Sequence, residues 1–327
     1  MNASEWMASA AESIDPRQLW IAGIACAAIA LGWVVSATLH RLGTTSDKMH
    51  RELMLRLRTW AIITPATVIP ILIGPAGIAC AIVILGWVCF RELSRACGVD
   101  ADPVRSLCVI AGLATIGIAI LRHDHRLLLL SAPVVAVLTA ATALLKDRPE
   151  GYLRQLAVTN LGFMLCGLWP GHLGFLGTGY ANATIALWFI LSIELNDVFA
   201  FVSGKAFGRT KLCPHTSPGK TREGLLGAIL LTTGFVVLSG HLLFHGQGLG
   251  RIAILVPLGV VLSLSGTIGD LVVSSIKRDL HLKDLSHSLP GHGGMLDRCD
   301  SLIFASPVIA ITLAMLDSFG PLTNPLP

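Results

Sequence analysis

Ten apolar stretches divide the chain, at roughly 18–39, 59–73, 75–90, 104–121, 127–145, 153–174, 180–203, 224–245, 252–275 and 301–318. Most are close to the ~20 residues that a helix needs to cross the hydrocarbon of a bilayer. Between them the loops are short and hold most of the charge. The pattern predicts an all-α, polytopic transmembrane bundle of about ten spans. Stretches two and three are short and meet at Gly74-Pro75, with Pro65 and Pro70 nearby. A hairpin of two helices and one long kinked helix both fit that pattern.

Charge chooses between them. Cytoplasmic loops collect Lys and Arg. With ten spans and both termini outside, all but four of the 24 Lys and Arg residues fall on the inner face. The four exceptions are Arg17, Arg122, Arg126 and Arg251. Fusing spans two and three would carry the early basic segment, Arg41 to Arg58, to the wrong side. Residues 1–150 (spans one to five) hold few polar groups within the membrane. Residues 151–327 (spans six to ten) hold the chemistry.

Composition agrees with a membrane location. Hydrophobic residues make up 53% of the chain, the mean hydropathy is +0.71, and only 13% of residues are charged. Soluble domains carry about 25% charged residues. The net charge of +4 comes from cations scattered among the spans, which gives no nucleic-acid surface. The eight cysteines form no CxxC pair and read as small buried hydrophobes, not as a zinc site or disulfide frame. The first 17 residues contain Glu5, Glu12, Asp15 and only Arg17. They lack the basic start of a cleaved signal, so span one is expected to remain.

Several polar residues need a reason to be where they are. A carboxylate in a spanning helix costs roughly 2.5–3.5 kcal/mol on insertion scales. Asp270 lies late in span nine, with Ser274, Lys277 and Arg278 following on the same helical face. An internal Asp–Lys pair at a helix end is the plain explanation. Downstream, Lys283 precedes a glycine-rich turn of Gly291, His292, Gly293 and Gly294, whose N–H groups could cradle an anion. Asp297 and Asp300 then open span ten on one face. They could simply favour the helix dipole. Together with Asp270 they also form an all-oxygen donor set that suits a hard cation such as Mg²⁺.

The loop 204–224 adds Ser217, Lys220 and Thr221, with Lys205, Arg209, Lys211 and Arg222. These suit anionic headgroups or a polyphosphate. It is not a P-loop, because Pro214 stands where that motif needs glycine. Glu194, Asn196 and Asp197 sit deep in span seven, where Lys205 or Arg209 could compensate them.

The run Ser274-x-Ile276-Lys277-Arg278, Lys283-Asp284, then Pro290-Gly291-His292-Gly293-Gly294-x-x-Asp297-Arg298-x-Asp300 resembles the signature of phosphatidate cytidylyltransferases. Ser217-Pro218-x-Lys220-Thr221-x-Glu223-Gly224 looks like a second block of that family. Asn196-Asp197-Val198-Phe199-Ala200-Phe201 is a weaker match to a third, with Val198 and Phe201 departing from it. Gly219 and Arg222 depart from the second block. The likeness covers about residues 190–305.

The resemblance implies that CTP and phosphatidate, or a related lipid phosphate, give CDP-diacylglycerol and pyrophosphate. It implies Mg²⁺ at Asp270, Asp297 and Asp300, with room for a second cation. Lys277 and Arg278 would bind a phosphate, and Ser217, Lys220 and Thr221 would close over the polyphosphate. The expected setting is a bacterial plasma membrane with the site facing the cytoplasm. Membrane lipid is the surrounding partner, and a homodimer is compatible. Three rivals stand beside this reading: a lipid kinase or another lipid-phosphate transferase, an ion-coupled transporter, and an inactive scaffold.

Overall fold

The computed structural model describes residues 15–42, 47–99, 102–144, 147, 150–178, 182–286, 288 and 293–317. Within them the chain is almost wholly helical. Its helices are α1 (Pro16–Arg41), α2 (Asp47–Ile73), α3 (Pro75–Ala96), α4 (Pro103–Arg122), α5 (His125–Leu144), α6 (Tyr152–Phe163), α7 (Trp169–Thr178), α8 (Asn182–Phe207), α9 (Arg222–Leu243), α10 (Ile252–Asp279) and α11 (Leu296–Asp317).

Every expected span has its helix. Eight helices among the described residues are long and apolar enough to cross a membrane. The other two expected spans differ for local reasons. The apolar part of α2 is only Leu57–Ile73. Span six is α6 and α7 joined by a π turn at Met164–Leu168. Pro170 has no N–H to give the Cys166 carbonyl four residues back, so the regular ladder fails there. Gly86 of α3 comes up against that carbonyl, and a Cβ at Gly86 would lie 2.7 Å from it.

Spans two and three are separate helices. Gly74 breaks the chain with φ 97°, a left-handed conformation that suits glycine, and Pro75 starts α3. The apolar side chains that remain exposed are those a lipid phase would cover, such as Trp20 at 72%, Leu153 at 80% and Leu230 at 73%. This is an integral membrane protein.

In lipid, apolar contact alone does not hold helices together, so close approach through small residues matters more. Gly112 lets α4 meet α5, because a Cβ there would lie 2.3 Å from Val135 Cγ2. Polar bonds add specificity. Asn196 of α8 accepts hydrogen bonds from Thr232 of α9 (3.0 Å) and Ser263 of α10 (2.6 Å). Arg17 at the start of α1 donates to the Leu243 carbonyl of α9 (2.9 Å), and Thr184 of α8 donates to Asp15 (3.2 Å).

One buried cluster runs through both halves of the chain, from Ile78, Phe90 and Leu113 to Phe189, Leu258 and Ile309. The cysteines are free. Cys89, Cys97, Cys108 and Cys166 are buried, Cys213 and Cys299 are partly buried, and Cys26 and Cys80 are exposed, which corrects their reading as buried hydrophobes.

The 204–224 loop contains a feature that the hydrophobic pattern does not announce. Strands β1 (Lys211–Cys213) and β2 (Ser217–Thr221) form a small antiparallel hairpin, with Lys211 opposite Thr221 and Cys213 opposite Ser217. Thr221 ends it as the N-cap of α9, its Oγ1 accepting from the Gly224 N–H at 3.1 Å. Glu223 accepts from the Arg209 and Thr210 N–H groups and ties the hairpin base.

Candidate active site

The site is built at the C-terminal end of α10, the N-terminal end of α11, the hairpin and α8. On α10 the helical spacing has the expected result: Ser274 Oγ donates to Asp270 Oδ1 at 3.0 Å. The ion pairs, however, cross between elements. Lys220 of β2 reaches Asp270 Oδ2 at 2.7 Å. Lys277 turns instead to Asp297 Oδ1 at 2.9 Å. The internal pair expected from α10 alone is therefore replaced by two interlocking pairs. Arg278 donates to the Thr216 carbonyl (3.3 Å) and the Leu282 carbonyl (2.9 Å), fastening the hairpin to α10.

Asp297 is almost fully enclosed, its side chain only 1% exposed. Besides Lys277 it accepts from the Leu285 N–H (3.0 Å) and the Gly294 N–H (2.9 Å). Asp300 accepts from the Ser301 N–H at 2.8 Å. It is buried at 8% exposure, with Asp270 and Asp197 as charge neighbours. Asp197 accepts from Ser301 Oγ at 3.0 Å. Ser301 was not singled out by sequence. Asp197 and Asp300 are therefore held on the two sides of one serine, with Lys220 also a charge neighbour of Asp197.

α10 and α11 approach closely because Gly269 has no side chain. A Cβ there would lie 2.6 Å from the Asp300 carbonyl oxygen and 2.8 Å from Phe304 Cβ. Gly269→Ala is expected to lower stability by about 1–3 kcal/mol, the usual cost of overpacking. It should also shift Asp300. Thermal unfolding in detergent with a parallel turnover assay checks both.

The glycine turn behaves differently from an open anion nest. The Gly294 N–H is taken by Asp297, and those of Met295 and Leu296 by Glu92. Gly293 has φ 80°, and a Cβ on it would meet Asp297 Oδ2 at 2.9 Å. These glycines make room for the protein's own carboxylates. Gly291 and His292 lie outside the described residues, as does His287. Lys283 and His281 are exposed. Ser217 lies partly buried in β2. The cations that act on Asp197 are Lys220 and Arg298 rather than the expected Lys205 or Arg209, and Lys205 sits 6.0 Å over the Phe201 ring. Val198 and Phe201, the departures in the third block, are exposed at 51% and 65% and point out of the cluster.

Sequence reasoning missed Glu92. Its signal was a charged residue late in an apolar span, in Arg91-Glu92-Leu93, yet it is only 5% exposed.

An α-helical membrane bundle that gathers acids and lysines around a polar end, under a small basic hairpin, has the makings of a membrane-embedded enzyme of phosphate chemistry. Comparison narrows the class: residues 54–316 match the model of the Cytidylyltransferase family, and the chain belongs to that family. It is 37% identical over 188 residues to the uncharacterized protein YnbB of Escherichia coli (strain K12), covering 56% of this chain and 62% of that one. It is 34% identical over 164 residues to a phosphatidate cytidylyltransferase of Staphylococcus haemolyticus, covering 50% of this chain and 58% of that one. A phosphatidate cytidylyltransferase of Thermotoga maritima is 34% identical over 165 residues, covering 50% and 59%. The chain thus spans about three fifths of the length of these relatives.

Proposed function

We propose that this protein transfers the cytidylyl group of CTP to phosphatidate, giving CDP-diacylglycerol and pyrophosphate. The observation that carries the reading is the pair of crossed lysine–carboxylate bridges, Lys220–Asp270 and Lys277–Asp297, beside Asp300. Family membership and the names of the matched relatives support it. The many basic residues on this side of the bundle favour the cytoplasmic face, where CTP is found, and a bacterial plasma membrane is the setting proposed.

Asp270, Asp297 and Asp300 would hold Mg²⁺. Two features of the site fit that ion. The donors are all oxygen, and two of the three carboxylates already hold an ammonium at 2.7 and 2.9 Å, a cation standing at the ligating oxygens. Among the described residues no three His, Cys, Asp or Glu side chains stand together so as to hold a metal ion by themselves. Magnesium usually binds through one or two carboxylates together with substrate phosphates, so a cage is not required. When bound, Mg²⁺ supplies charge neutralisation on the polyphosphate.

The chain's own residues do the rest. A phosphate oxygen of the lipid is already anionic and needs no protein nucleophile. It forms a bond to the α-phosphorus of CTP, and the bond from that phosphorus to the bridging oxygen breaks, releasing pyrophosphate. The barrier is repulsion between anions and charge on the leaving group. Lys220 on the hairpin and Lys277 on α10 approach from two directions and are placed to offset it. The hairpin, fastened by Arg278, orients Lys220 and Ser217.

The test uses purified protein, radiolabelled CTP, phosphatidate vesicles and Mg²⁺. Label entering the lipid fraction with matched pyrophosphate release is the expected result. CDP as product would indicate a kinase and overturn the reading.

A further inference from the structure

Glu92 belongs to α3, in the N-terminal half that the sequence leaves without chemistry. Yet this carboxylate is buried and accepts four hydrogen bonds, from Ser286, Ser288 and Met295 before α11 and from Leu296 at its start. Oε1 accepts from Ser286 Oγ (2.7 Å), from Ser288 Oγ and from the Met295 N–H (3.0 Å). Oε2 accepts from the Leu296 N–H at 3.0 Å. The first N–H groups of a helix have no partner within it. Here they are capped not by a neighbour in sequence but by an acid some 200 residues away. The negative charge also sits at the positive end of the helix dipole.

Gly294 shows how tightly this contact is drawn. Its φ is not left-handed, so conformation alone does not require glycine. A Cβ on Gly294 would lie 2.6 Å from Glu92 Oε2 and 2.9 Å from Ser286 Oγ. The glycine exists to admit the carboxylate.

We propose that Glu92 is a positioning residue for the cytidylyl transfer site. It fixes the register and direction of the first turn of α11. Asp297 follows one residue after Leu296, and Asp300 comes one turn later. The two acids can meet Lys277 and Asp270 only if that first turn is held. The N-terminal spans thereby become part of the catalytic machinery, through α3, without touching substrate. The proposal rests on the site reading above.

Four variants of the full-length protein test it: Glu92→Gln, Glu92→Ala, Gly294→Ala, and Gly294→Ala combined with Glu92→Ala. Gln keeps shape but replaces one accepting oxygen with a donor. Loss of a group supporting active-site residues typically lowers activity about 10–100-fold. We expect Glu92→Gln to lower kcat by that factor, with KM for CTP changed less than kcat. Amide hydrogen exchange at Met295 and Leu296 should quicken, measured without Mg²⁺ or CTP. Gly294→Ala should give the same two effects while Glu92 remains. Adding Gly294→Ala to Glu92→Ala should cost little more, because the contacts with the carboxylate have gone and the remaining one is with the Ser286 hydroxyl, which can turn aside.

Unchanged exchange at Met295 and Leu296 in Glu92→Gln would overturn the proposal. So would faster exchange with wild-type kcat, which would leave Glu92 a structural cap only. Additive effects in the double variant would also overturn it. If the wild-type protein shows no cytidylyl transfer at all, the function reading fails, whereas the exchange measurements still report on the contact itself.

Discussion

Asp300→Asn is expected to abolish the proposed Mg²⁺-dependent cytidylyl transfer while leaving the protein folded, lowering kcat by at least about 10²–10³-fold. That is the scale seen when one electrostatic group is removed from a preorganised site. Asp270 and Asp197 bring two further negative charges near it, in a buried position. Such crowding costs free energy in the resting protein. Asn keeps the shape and can still accept from the Ser301 N–H. Thermal stability should therefore hold or rise as activity disappears. Opposite signs in stability and turnover mark a group kept for function. Asp297→Asn should also abolish transfer, but with a stability loss, because Lys277 and two backbone N–H groups depend on that carboxylate. Turnover within about threefold of wild type in both purified variants, well below the loss expected for such a group, would remove the metal assignment.

Lys277→Ala is the second large effect. It strands Asp297, whose side chain is 1% exposed. Removing one partner of a buried pair costs about 3–5 kcal/mol, and the two N–H groups still on Asp297 place the expected loss at the lower end. The nucleotide should suffer as well. KM for CTP is expected to rise at least about tenfold, the equivalent of one lost charge-assisted contact of 1.4 kcal/mol or more. Titrating CTP and lipid separately shows which substrate the ammonium serves. Unchanged affinity for both, with only stability lost, would make Lys277 a structural and topological residue.

Much of the site could be read along the chain, because helical spacing is a local property. Asp270 and Ser274 are four apart, and the bond between them follows from that spacing. The separation of α2 from α3 followed from glycine, proline and the placement of charge. The hairpin was harder to see. Its strands are only three and five residues long, and neither shows an extended alternating pattern. The crossed pairing of the lysines was hidden for another reason: at a helix end Asp270 has a lysine within reach on its own helix, and only the folded hairpin brings a second one, Lys220, to 2.7 Å.

The order of apolar and polar residues determined that this chain is a polytopic helical membrane protein and roughly where its apolar helices lie. It also carried the acids and bases of the signature, since their types and spacing are written in one stretch. Tertiary structure alone decided which acid meets which lysine, that Asp197 joins Asp300 across Ser301, and that Glu92 of α3 caps α11. The physical reason is that lipid treats all apolar helix faces alike. Hydrophobicity therefore places helices in the bilayer without choosing their neighbours. That choice falls to close contacts at glycines such as Gly86, Gly112 and Gly269, and to polar bonds between residues far apart in the chain.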